Sequence, residues 1–68
     1  MTKHIGREIK TVFEESGLSK SEFARRINKS RETIYDIFER QSIDTGLLKA
    51  ISEVLKHDFF LHYTIPND

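Results

Sequence analysis

The 68-residue sequence predicts an all-α fold, a compact bundle of four to five helices. Three observations lead there. Apolar residues recur at helical i, i+3, i+4 spacing in short separated segments. Each segment is opened by a good N-cap residue or closed by one able to take positive φ. The chain is also short and lacks cysteine, so no disulfide framework supports it, and only about 60% of its unfolded surface can be buried; compact helical packing suits that limit. A single domain over residues 1–68 is expected, with its core at about 4–63.

Ile5, Ile9, Val12 and Phe13 place one apolar stripe on helix one, roughly 4 to 15. Gly17 ends it, because glycine enters the left-handed region without a Cβ penalty. Ser19 and Glu22 have the spacing of a capping box, with the Glu22 carboxylate expected to return to the Ser19 N–H. Leu18 and Phe23 form the matching hydrophobic staple. Helix two, about 20 to 27, buries Phe23, Ala24 and Ile27 and stops at Asn28, the residue after glycine that best tolerates φ > 0. Ser30 then caps helix three, whose inward residues are Ile34, Ile37 and Phe38, as far as Glu39 or Arg40. Asp44 caps helix four, with Ile43 and Leu48 in staple positions and Leu47, Ile51, Val54 and Leu55 apolar. Lys56-His57-Asp58 breaks that pattern. A last short helix or turn runs from Phe59 to about Tyr63, and Pro66 ends regular structure. Phe59 and Phe60 are expected to lid the core.

Eleven Lys and Arg balance eleven Asp and Glu, so bulk charge argues neither for nucleic acid nor for an acidic membrane. The distribution differs. Residues 18–31 hold Lys20, Arg25, Arg26, Lys29 and Arg31 against Glu22 alone, a local net charge of +4 in a neutral molecule. No apolar run approaches the roughly 18 residues of a membrane span, and the absence of cysteine fits a reducing cytoplasm. The three histidines lack the i, i+4 spacing of a helical zinc site, and no metal site or cofactor is expected. Nothing places a base beside a nucleophile, and three glycines cannot build a phosphate loop, so enzymatic activity and a small-molecule substrate are not expected.

Residues 19–40 read as helix, tight turn, helix, in which a short first helix props a second whose outer side is free. That stretch, densest from Leu18 to Ile37, resembles the phage repressor and Cro-like (XRE-type) helix-turn-helix DNA-binding domains, and the resemblance covers roughly residues 5–60. It implies a lambda-repressor-like fold. Ala24, Asn28, Ile34 and Ile37 match the family's small, turn, apolar and apolar positions, with Asn28 standing where glycine is most usual. Ala24 has a physical reason: a bulky side chain there would wedge the helices apart at about 1 to 3 kcal/mol.

The resemblance implies a recognition helix at about 31–40 lying in the major groove of duplex DNA, in a transcriptional regulator of bacterial or phage type. Its outward face, Arg31, Glu32, Thr33, Tyr35 and Asp36, supplies the candidate base contacts. Arginine donates two bonds to guanine O6 and N7, and a carboxylate accepts from the cytosine amino group. Tyr35 offers its ring to a thymine methyl, or packs on helix four instead. A carboxylate without a cytosine donor is repelled by phosphates, the awkward feature of Glu32 and Asp36. Lys20, Ser30, Lys29, Arg26 and Arg40 are the candidate phosphate contacts, Lys20 together with the free N–H groups opening helix two. Arg25 and Arg26 alternatively lie solvated on the helix surface. Five such contacts give a log K against log salt slope of about −4.5. A homodimer through the apolar segment Phe59 to Ile65 follows from the weakness of one small module. The rival reading is a protein-interaction module that keeps the scaffold and uses the mixed-charge third helix to grip a polymerase- or antitoxin-type partner.

Overall fold

His4 opens the first helix, its Nδ1 accepting a hydrogen bond from the Arg7 amide at 3.2 Å, and α1 runs Ile5–Ser16. The computed structural model describes residues 4–61. Gly17 closes α1 at φ 83°, as expected, and Ser19 caps α2, Lys20–Arg26. α3 spans Arg31–Glu39 behind the Ser30 cap, and α4 spans Thr45–Leu55 behind the Asp44 cap, whose Oδ1 accepts from Leu47 N at 2.8 Å. Among the described residues there is no strand, and the fold is all-α.

The expected last short helix or turn begins at Phe59 as a single 3₁₀ turn, Phe59–Leu61, and its expected continuation to Tyr63, like most of the apolar segment to Ile65, lies outside the described residues. One expectation there needs correction. Phe59 is buried over the core, with the His57 ring centroid 4.6 Å away, but Phe60 is 38% exposed. With three residues per turn, consecutive side chains project about 120° apart, so both cannot face inward.

α3 packs on both α1 and α2, while α4 packs on α1. Ile34 and Ile37 are fully buried, Ala24 is buried across from them on α2, and Phe13 stacks on Phe23 and tilts against Phe38, with centroids 5.2 and 5.5 Å apart. This core fixes α3 by its inner side and leaves its outer side uncovered. A second tie comes from the backbone. The Gly6 amide, a donor left free by the first turn of α1, donates to the Arg40 carbonyl at 3.0 Å, so the positive end of one helix dipole meets the negative end of another.

α4 ends at Lys56, which holds the left-handed conformation (φ 54°, ψ 46°) while the His57 amide donates to Ser52 O. A lysine there carries a Cβ penalty that glycine does not. Lys56→Gly is therefore expected to raise stability by about 0.5 to 1 kcal/mol, roughly 2 to 8 °C in Tm by calorimetry. An unchanged or lowered Tm would refute the strain argument.

Candidate nucleic-acid interface

The turn between α2 and α3 is set by Asn28. At φ 61° it directs its own amide to Arg25 O (3.1 Å) and the Lys29 amide to Ala24 O (2.9 Å), the paired bonds of a Schellman motif. α2 stops one residue earlier than expected, with Ile27 as a buried cap residue. One further step brings Ser30, whose hydroxyl accepts from the Thr33 amide at 3.3 Å and lies 3.1 Å from the Thr33 hydroxyl. α3 is thus launched within four residues of the end of α2, and the outer side of its first turn, Arg31 and Glu32, is exposed.

Of the residues expected to read bases, Arg31, Glu32, Tyr35 and Asp36 are exposed on one outer face. Arg31, Glu32 and Tyr35 line a single open concavity. Thr33 is half-buried, and its hydroxyl lies 3.1 Å from that of the Ser30 cap. Tyr35 does not turn to α4. Its ring, on a residue 52% exposed, lies 5.4 Å from the Lys20 ammonium, which also sits 5.9 Å over Phe13, so one half-buried lysine links all three helices by cation–π contact.

The phosphate candidates divide into two groups. Lys20, Lys29 and Ser30 flank the exposed face with no ion pair among the described residues, although the Ser30 hydroxyl serves as the α3 cap. Arg26 and Arg40 are already partnered. Glu22 does not return to the Ser19 amide as the capping box requires; Ser19 Oγ accepts from Glu22 N, while the Glu22 carboxylate is held by Arg25 and, at 2.7 Å, by Arg26. Those two guanidiniums, Arg25 first, keep its carboxyl below the usual carboxylate range. The pair is complete at neutral pH and is lost as pH falls through that lowered value. Asp36 is paired with Arg40 at 2.9 Å, one turn along α3, with both guanidinium contacts on its Oδ2.

Both clusters follow i, i+3 and i, i+4 spacing, a signal that the sequence contained. Lys20 over Tyr35 had no such signal. It depends on tertiary packing across α1, α2 and α3.

A capped, Schellman-turned pair of helices with the second exposed is a helix-turn-helix unit in geometry. A model of the Helix-turn-helix family matches residues 9–59, well over half the chain. The chain belongs to that family, in its XRE-type branch. No curated protein and no solved structure matches it. Helix-turn-helix domains of this kind are generally DNA-binding regulators, and within the described residues no helix is long and apolar enough to cross a membrane.

Proposed function

We propose that the chain binds duplex DNA sequence-specifically as a transcriptional regulator of bacterial or phage type, acting in the cytoplasm. α3 enters the major groove by its N-terminal end, and α2 lies across the backbone. The observation that carries this reading is the uncovered outer face of α3 from Arg31 to Asp36, between the cations Lys20 and Lys29. Arg31 and Glu32 lead the base contacts, with Tyr35 beside them on the same open concavity. Lys20, Lys29 and the exposed Ser30 face phosphates directly, and Arg26 and Arg40 do so from within their ion pairs. Two copies on half-sites about 34 Å apart read a palindrome, with Phe60 the exposed described residue of the segment that joins them.

Titration of a mixed-sequence duplex at two ionic strengths tests the reading. Steep loss of affinity with salt supports it, and no signal at low salt refutes it. The carboxylates that occupy Arg25, Arg26 and Arg40 are the observation favouring a protein partner, and that reading predicts no such salt dependence.

The pairing of Glu22 gives a further expectation. Glu22→Gln removes a negative charge from the ledge and releases Arg25 and Arg26, so affinity for any duplex should rise several-fold at low salt and the salt slope should steepen. Fluorescence anisotropy with a random duplex measures both. Weaker binding would show that the clamp orders the interface instead of screening it.

A further inference from the structure

We infer that Glu32 fixes a cytosine in the target sequence, while Asp36 reads no base; this rests on the DNA-binding reading and names what that face selects. Four carboxylates lie in the unit from Ser19 to Arg40, and they differ in what they touch. Glu22 is held by Arg25 and Arg26, and Asp36 by Arg40. Glu39 ends α3, seven residues and about 10 Å along the axis from its leading turn. Glu32 alone is in the leading turn, exposed, without an ion pair or side-chain hydrogen bond among the described residues, and beside Arg31 and Tyr35 on the open concavity.

A bare carboxylate carried into the major groove has two acceptor oxygens and no donor. Guanine presents N7 and O6 and thymine presents O4, all acceptors that repel it. Adenine has a donor at N6, but its N7 acceptor stands alongside. Cytosine presents the N4 amino group with no competing acceptor at the groove edge, so Glu32 accepts from cytosine and is penalised at the other three bases. The same charge disfavours close approach to unselected backbone, which restrains non-specific binding. Asp36 differs because Arg40 holds its Oδ2 with two guanidinium nitrogens, and because it sits four residues behind Glu32 along α3.

A purely structural role for Glu32 also exists. An acidic residue in a first turn complements the helix dipole. That role predicts a change in stability with no change in base preference, which separates it from the inference.

The experiment selects bound duplexes from a random pool with the wild type, Glu32→Gln, Glu32→Ala and Asp36→Asn, each checked for an unchanged helical circular dichroism spectrum. Wild type should return one position fixed as cytosine. Glutamine donates to N7 and accepts from N6 of adenine, so Glu32→Gln should move that position to adenine with a preference on the order of 10- to 100-fold, and Glu32→Ala should leave it unselected. Asp36→Asn should return the wild-type sequence. If Glu32→Gln and wild type select the same sequences, or if Asp36→Asn is the variant that changes a base, the inference fails and the DNA-binding reading stands. If wild type selects nothing and binds no duplex at low salt, both fail together.

Discussion

Replacing Gly6 with alanine is expected to leave the domain largely unfolded at 25 °C, or to lower its Tm by 15 °C or more. A Cβ built on Gly6 falls 2.4 Å from the Phe38 carbonyl oxygen and 2.6 Å from that of Ile37. Overpacking ordinarily costs about 1 to 3 kcal/mol because side chains yield by changing rotamer. Backbone oxygens at a helix C-terminus cannot. The strain is relieved only if the start of α1 lifts off α3, which breaks the Gly6 to Arg40 hydrogen bond and exposes Ile5 and Ile9, now 2% and 0% accessible. A domain this small has about 3 to 5 kcal/mol in all, so losing that contact removes most of it. Gly46→Ala is the matched control. Its new Cβ meets only Asp44 Oδ1, at 3.4 Å, in a helical position where alanine is the better residue, so stability should hold or rise slightly. Thermal denaturation by circular dichroism checks both, and a Gly6→Ala Tm within about 3 °C of wild type would overturn the argument.

The contrast between these glycines shows what the sequence made legible. Local devices were readable because cause and effect lie within a few residues: Gly17 and Asn28 take positive φ, and Ser19, Ser30 and Asp44 cap their helices. Gly6 carried no signal of its role, because the carbonyls that forbid a side chain there lie more than thirty residues away on α3. The capping box was half right. Ser19 does cap, but Glu22 sits within reach of two arginines, and two charge-assisted bonds outcompete one return bond to an amide. Lys56 gave no sign of its left-handed conformation, since lysine is neutral as a turn signal. The outer face of α3 was legible as a set of exposed residues, though not as a set of equals. Only the side-chain contacts separated Asp36, tied to Arg40, and Thr33, tied to Ser30, from the unpaired Arg31 and Glu32.

Arg31→Ala is expected to weaken binding to the selected sequence by on the order of 10- to 100-fold, and to relax selection at one position, which in wild type should be guanine. Lys29→Ala should weaken every duplex alike and reduce the magnitude of the salt slope by about 0.9, the share of one neutralised phosphate. The two cations are only two residues apart, so unequal effects on selectivity cannot come from a general loss of positive charge. Nor can they come from unfolding. Arg31 is exposed at the first position of α3, where the helix dipole already carries positive charge, so removing a cation there should leave the Tm unchanged or raise it slightly. A residue placed where it does the fold no electrostatic service is consistent with a duty outside the fold. Anisotropy titrations of both variants against the selected and a scrambled duplex, at three salt concentrations, decide the matter. Parallel losses on the two duplexes for Arg31→Ala would place that arginine on the backbone, and the reading of guanine by α3 would have to be abandoned.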